Sequence, residues 1–443
     1  MHTSKGIIYC VIFALTASLF ASCKESGTGP EQQNPGLVVK SVNPIKGKYD
    51  TEITVSGEGF SEKPSENKLN INGIEAVVTS SSPTSLTSVI PKGAGSGPVT
   101  VQVKGETAEG PTFHYIPTVN VTTFAGSGQL GYRDGEKGQA RFNYPVGLEL
   151  TSGGELVVVD HWNHCVRIIK HDETVSTLAG TCGSGGLGDG FGTNARFFRP
   201  IDVEVADDGV LYISDFGNHR IRQIEPSSLV RTLSGTTQGY RNGLPQEAQF
   251  NYPAGIAQGA DGQLYIGDSG NNRIRRVTTN GEVFTYAGSG RRGAENGYGE
   301  MAEFYFPFGM DLDKKGRIFI ADYGNNSIRL ISSDIVVSTF SGGGESGYVN
   351  ENGEDARYSS PYDVAVDSNE MIYVADFYNH RIRRIAPDRS VIDIAGTGEP
   401  GLVNGDETEA QFDSPIGLAV NEDGTVLYVA DHHNHVIRKV TIE

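Results

Sequence analysis

Past residue 22 the 443-residue chain has no apolar run long enough for a membrane-spanning helix, so no second helical span is a candidate. Basic charge is in deficit: 36 Lys and Arg stand against 54 Asp and Glu, a formal net charge of -18. An acidic surface repels phosphate backbones, which argues against a nucleic-acid partner. There is no G-x-S-x-G nucleophile elbow. The glycine-rich loops lack the following Lys-Ser or helix that would cradle a phosphate. No motif therefore supports enzyme activity, although none forbids it. Tryptophan occurs once, as Trp162, and cysteine four times. What the chain has in quantity is glycine, 58 residues, which fits a protein made of many turns.

The signature Asp-x-x-Asn-x-x-x-Arg recurs six times, from Asp160, Asn163 and Arg167 through Asp215, Asp268, Asp322 and Asp376 to Asp431, Asn434 and Arg438. Successive copies begin 53 to 55 residues apart, a period that signals stacked supersecondary units. Each unit opens on a proline: Pro145, Pro200, Pro253, Pro307, Pro361 or Pro415. After Pro145 come VGLEL, ELVVVD, CVRIIK and VSTLAG, four runs rich in β-branched residues and separated by Gly, Asp and Asn turn signals. Four strands per unit make a propeller blade, so six blades are expected. Five units end in VSTLAG, VRTLSG, VFTYAG, VSTFSG and VIDIAG, whereas the sixth has no such run before Glu443. The matching run is VTTFAG at 121–126. Lending that strand to the last blade would close the ring and bury two sheet edges.

The copies DFGNHRIRQI, DSGNNRIRRV and DFYNHRIRRI, with the preceding A-x-[FY]-x-x-P-x-[GD] exemplified by Ala140 to Gly147, resemble NHL repeats over residues 120–443. The resemblance implies an all-β, six-bladed NHL-type β-propeller at 118–443. Propellers of this kind include protein-binding, RNA-binding, sugar-binding and enzymatic members, so the fold does not supply the function.

A second module is expected at 37–117. Pro44, Gly47, the alternation Ile53 and Val55, Gly57, Gly59 and Phe60, INGIEAVV, Pro91 and PVTVQV read as a small β-sandwich with apolar positions at period two. It resembles an immunoglobulin-like IPT/TIG domain, whose usual role is to space or orient a neighbour. Residues 1–22, with Lys5 before an apolar run from Ile7 to Phe20 and then Ala21, Ser22 and Cys23, read as a signal peptide. The segment resembles a bacterial lipobox, which implies lipidation of Cys23 and a flexible tether over 23–36. Lys24 and Glu25 resemble the charged signals that send lipoproteins to the outer face in some Gram-negative bacteria. The expected place is thus the bacterial envelope, lipid-anchored and extracytoplasmic, at the outer membrane. Cys165 and Cys182 flank a hairpin in blade one with a register off by about two residues, which leaves both a disulfide and two buried thiols open.

A residue repeated in every blade is first a structural residue, so function is sought where the copies differ. The turns after the second strands and the long loops between blades share one rim, where a rigid scaffold usually carries its site. The two positions after each signature Asp are rich in rings: His161 and Trp162, Phe216, Tyr323, Phe377 and Tyr378, His432 and His433. The residues before the prolines are Tyr144, Arg199, Tyr252 and Phe306, with Ser360 and Ser414 in the last two blades. Aromatic faces on one rim suit stacking against a sugar ring. Rings that merely cap strand ends are the bland alternative.

Toward the axis, Asp202, Asp363, Glu204, Asp311 and Glu149 form a ring of carboxylates. Calcium on Asp202, Asp363, Glu204 and Asp311 is one expectation, and a hydrated polar channel the other. His161, His432 and His433 lie in adjoining blades and suggest zinc, as in propeller lyases that act on amidated peptide precursors. The leading reading is a non-enzymatic glycan-binding accessory of a bacterial polysaccharide-uptake system, with an oligosaccharide or polysaccharide as ligand. The alternatives are a metal-dependent lactonase, hydrolase or lyase, and a scaffold for an envelope protein partner.

Overall fold

The computed structural model describes residues 36–443. The signal peptide, Cys23 and the tether up to residue 35 lie outside the described residues. Among the described residues no helix is long and apolar enough to cross a membrane.

Two sheets form the N-terminal domain. One has the strand order Val38–Asn43, Glu52–Glu58, Ser85–Val89, Val78–Ser82, and the other Lys46–Gly47, Glu106–Tyr115, Gly97–Val103, Asn67–Ile71, Ile74–Ala76. Their inward positions alternate, as period-two strands require. Ile53, Val55, Leu69, Ile71, Leu86, Val99, Val101 and Phe113 meet in one fully buried core. Lys48 pairs with Glu407 of the last blade, and Lys92 Nζ lies 2.8 Å from Glu443 Oε2. Those contacts seat the sandwich beside the ring closure.

The remaining chain folds into six antiparallel sheets, one per repeat. In blade one the strands run Pro145–Leu150, Leu156–Asp160, Cys165–Ile169 and Thr174–Ala179 from the axis outward. The innermost strands of successive blades contact one another around the full circle, and the first also touches the last. Blade six takes its outer strand from Val119–Ala125, which pairs antiparallel with Val436–Ile442 in the register Val119↔Ile442 and Val121↔Val440. Thr118 and Glu443 exchange backbone hydrogen bonds of 3.0 and 2.9 Å just beyond that pairing. The borrowed strand expected at 121–126 is therefore present, and the fold is an all-β, six-bladed propeller after an immunoglobulin-like sandwich.

The signature is the pin of each blade. Asp160 Oδ2 accepts from Asn163 Nδ2 and Arg167 Nη1, both at 2.8 Å, and Oδ1 accepts the N–H of Asn143 at 2.8 Å. Asn163 and Arg167 reach onward to the carbonyls of Gly131, Arg133 and Arg141, so the triad binds the loop that enters its blade. The ring of Phe142, the [FY] of the motif before the proline, lies under the Arg167 guanidinium at 5.3 Å. All six Asp–Arg pairs are fully buried. Burial raises Asp160, Asp322 and Asp431 to about 6, against the pull of their arginines.

Cys165 and Cys182 are disulfide-bonded. A bulge between Val166 and Arg167 shifts the register of this hairpin, and Gly180 turns with φ +96° just past the strand. A side chain at Gly180 would meet Cys165 Cα at 3.0 Å. Bare backbone there lets Cys182 come round to Cys165, which resolves the two-residue mismatch in favour of the bridge.

Candidate functional site

The short turn after each second strand ends on a residue in the left-handed conformation: His164, His219, Asn272, Asn326, His380 and His435. Each reaches forward to the next blade. His164 Nδ1 accepts the N–H of Arg199 at 3.1 Å, and His219 Nδ1 that of Tyr252 at 3.1 Å. His380 and His435 serve Ser414 and Tyr144 in the same way, while Asn272 and Asn326 use Oδ1 for Phe306 and Ser360. The residue so held always precedes the blade's proline and has φ between +52° and +57°. Tyrosine, arginine and phenylalanine seldom occupy that region, and the strain persists only where neighbours over-determine it. The repeat thus builds six fixed display positions, and blades one to four fill them with Tyr144, Arg199, Tyr252 and Phe306.

Rings join these positions into an arc. Phe308 packs on Tyr362 at 4.6 Å and on Tyr323 at 5.2 Å between ring centroids. Tyr362 reaches Phe377 at 5.9 Å, and Phe377 touches Tyr378 at 4.6 Å and His433 at 6.2 Å. His433 and His432 meet Tyr144 at 5.8 and 4.9 Å, Tyr144 meets Trp162 at 6.4 Å, and the Arg199 guanidinium lies 4.1 Å over Trp162. The arc covers blades four, five, six and one and ends at blade two. Phe216 and Tyr252 pair at 4.8 Å, and Phe306 stacks on Tyr305 at 4.9 Å. Of the expected rim residues, Tyr144, Trp162, Arg199, Tyr323, Phe377 and Tyr378 are brought together along the arc, Phe216 meets Phe377 only in the cluster at the axis, and Tyr252 and Phe306 lie off the arc.

Four rings were not legible as site residues: Phe308 and Tyr362, which follow their prolines, and Phe198 and Tyr305, which face the turns. Gly217 and Gly324 follow the first post-signature position in blades two and four, where a side chain would strike Phe198 and Tyr305. In blades one, five and six the large residue is on the turn instead, as Trp162, Tyr378 or His433, and the facing residue is Asn143, Ser359 or Asp413. That size exchange was the available signal. Blade three has neither ring, only Gly270 against Asn251, so the rim is notched there.

Below the rim the axis is closed. The residues right after the prolines, among them Val146, Ile201, Phe308, Tyr362 and Ile416, converge with Phe216 and Phe377 into an apolar collar. The void within it is about 10 Å³, room for a single water at most. Beneath lies an acidic chamber of about 230 Å³ lined by Glu149, Asp202, Glu204, Asp311 and Asp363. The carboxylates thus lie along the axis below the rim, with Asp202 and Asp363 reaching up to the collar beside Phe308 and Tyr362.

Three of the five chamber carboxylates staple blade to blade. Asp202 takes the N–H of Val203 on Oδ1 and that of Ile256 in blade three on Oδ2. Asp311 bridges in the same way to Val366 in blade five, and Asp363 to Leu418 in blade six. Desolvation pushes Glu149 and Asp202 up to about 8 and Asp311 to about 7. Glu204 and Asp363 are raised too, chiefly by burial and then by neighbouring carboxylates. Asp202, Asp311 and Asp363 each commit both oxygens to backbone donors, which does not suit a calcium cage. Among the described residues, no three His, Cys, Asp or Glu side chains are placed to hold a metal ion.

The same holds for the histidines. His161 Nδ1 donates to the Pro200 carbonyl at 2.9 Å and His432 Nδ1 to the Pro145 carbonyl at 3.1 Å, the next proline in each case. Ser269 makes that contact to Pro307 in blade three. Burial lowers His161 to about 4 and His432 to about 3. Both rings tie neighbouring blades through Nδ1, and among the described residues they do not join a third ligand in a cluster that could hold zinc.

The IPT/TIG domain model matches residues 37–115, and the NHL repeat model matches 142–169, 197–224, 250–277 and 358–385. The chain is an IPT/TIG domain followed by an NHL-repeat propeller. It is 30% identical over 335 residues to the protein SUPPRESSOR OF QUENCHING 1, chloroplastic, of Arabidopsis thaliana, covering 73% of this chain and 27% of that relative. The chain thus spans about a quarter of that relative's length. Among solved structures, a protein of unknown function from Bacteroides thetaiotaomicron superposes with a TM-score of 0.60 at 20% identity, covering 93% of this chain and 99% of the other. An auxiliary nutrient binding protein from the same organism gives a TM-score of 0.58 at 20% identity, with 92% and 98% covered. At that identity the likeness establishes the fold of the NHL propeller and its IPT/TIG partner, nothing more.

Proposed function

We propose that the rim of the NHL propeller binds an oligosaccharide or polysaccharide segment without transforming it. The protein acts at the bacterial envelope, tethered by lipid on Cys23, with the IPT/TIG domain holding the propeller off the membrane. The observation that carries this reading is the aromatic arc from Phe308 to Trp162, in which Trp162 and Tyr378 are 41% and 57% exposed. Exposed ring faces stack on the apolar faces of sugars, and the hydroxyls and imidazoles along the arc offer partners for the sugar hydroxyls. The apolar collar gives the arc a solid floor, so a ligand lies across the rim and does not enter the axis. An accessory role in polysaccharide uptake accords with the likeness to an auxiliary nutrient binding protein.

The test is a glycan array probed with the purified full chain, followed by calorimetry on the hits. Saturable binding that Trp162→Ala weakens supports the reading. An empty array together with capture of one stoichiometric envelope protein on the same rim would replace the glycan with a protein partner.

A further inference from the structure

We infer that the ligand of the rim is an acidic glycan, with a uronate carboxylate received by Arg199; this deepens the proposed glycan reading and rests on it. Arg199 lies at the blade-two end of the arc, its guanidinium 4.1 Å over Trp162 and 5.5 Å from the Phe198 ring. Its backbone N–H is bound by His164, but its side chain makes no hydrogen bond or ion pair among the described residues, and its Nε is buried without a partner. Three other arginines near the rim are occupied. Arg220 donates to the Asn218 carbonyl, Arg273 to the Ser289 carbonyl, and Arg381 pairs with Asp393.

An uncompensated guanidinium is conspicuous on a chain with net charge -18, where carboxylates to neutralise it are plentiful. Its surroundings sharpen the point. Burial and then Arg199 itself lower His161 and His164, and among the described residues no carboxylate pairs with the guanidinium. Arg292, exposed near the other end of the arc, likewise lies over rings, 5.3 and 5.6 Å from Tyr305 and Phe306. A planar guanidinium presents a two-pronged donor edge that matches a carboxylate. Stacking on Trp162 pre-orients that edge, so little side-chain entropy is lost when the anion arrives. A sugar ring on Trp162 and Tyr144 would then place its C6 carboxylate at the guanidinium, a combination that a uronic acid offers and a neutral hexose does not.

The experiment is calorimetry of the full chain against an oligogalacturonate and the same oligomer with its carboxyls reduced to alcohols. The wild type is expected to bind the acid at least about tenfold more tightly. Arg199→Gln should abolish that preference, bringing the ratio of the two affinities to about one. Arg231→Gln, the same charge change on a strand paired with Glu225 away from the arc, should preserve it. Equal binding of both oligomers by the wild type overturns the charge assignment and leaves the glycan reading standing. A preference that survives Arg199→Gln overturns the role of Arg199. Tighter binding of a sulfated oligosaccharide of equal charge overturns the carboxylate. Failure to bind any of the three, with no other glycan bound on the array, ends both proposals together.

Discussion

His164 Nδ1 accepts the backbone N–H of Arg199, 3.1 Å away in the next blade, and so holds a non-glycine residue at φ +52° before a proline. Asparagine performs this task from Asn272 and Asn326, which makes the acceptor, not the imidazole, the requirement. His164→Asn should therefore remain close to wild type in urea denaturation. His164→Ala leaves the N–H without its acceptor and should cost roughly 1–3 kcal/mol. Equal midpoints for the two variants would remove the contact from the account of the rim.

Asp268→Ala tests the pin. Asp268 accepts from Asn251 N, Asn271 Nδ2 and Arg275 Nη1 at 2.7, 2.8 and 2.6 Å, and both members of its ion pair are fully buried. Deleting the carboxylate strands the Arg275 charge in the interior, for which a loss of roughly 3–5 kcal/mol is expected in chemical denaturation. A loss below about 1 kcal/mol, typical of exposed pairs, would contradict the buried geometry.

Stability should fall as pH rises from about 6.5 to 8.5. Burial raises Asp202 and Glu149 to about 8 and Asp311 to about 7, so these groups hold their protons more tightly folded than unfolded. Their contribution is complete below about pH 4 and is lost as pH climbs through the folded values. His161, at about 4, and His432, at about 3, run the other way. Their contribution is present above about pH 6.5 and is lost as pH drops. Only the carboxylates change in the alkaline window. Glu149→Gln keeps an oxygen for the Leu150 N–H and should flatten that limb of the thermal-midpoint profile. An unchanged slope would mean that the chamber is ionised throughout.

Trp162→Ala and Tyr252→Ala separate the arc from the outlying rings. The two side chains are 41% and 40% exposed, so both variants should keep nearly the wild-type thermal midpoint. Glycan affinity should drop more for Trp162→Ala, because Trp162 belongs to the arc and Tyr252 pairs only with Phe216 and His219. Matching losses of folding in both would make the rings core.

Blades, ring closure and signature were legible because each repeats: six copies of Asp, Asn and Arg at one spacing admit few folds. The partition of the axis was not. Val146, Ile201 and Phe308 read as ordinary strand residues, and nothing in their local pattern says that they meet across the axis. Asp202 and Asp363 were placed near the axis by period, but period is silent about whether a carboxylate faces water or a neighbouring backbone. Phe198 and Tyr305 are invisible to a pattern of fixed positions, because the fold lets a rim ring come from either of two facing ones.

Because Val119–Ala125 finds its partner in Val436–Ile442, the strand that leads into the propeller waits through the making of every blade before it can pair. As the chain emerges, blades one to five can stack in order while both edges of the unfinished arc stay open. Closure then comes as one late step that converts a growing half-ring into a finished one. A truncation that removes only the final strand should thus yield a sticky, chaperone-dependent product, although five complete sheets have already been made.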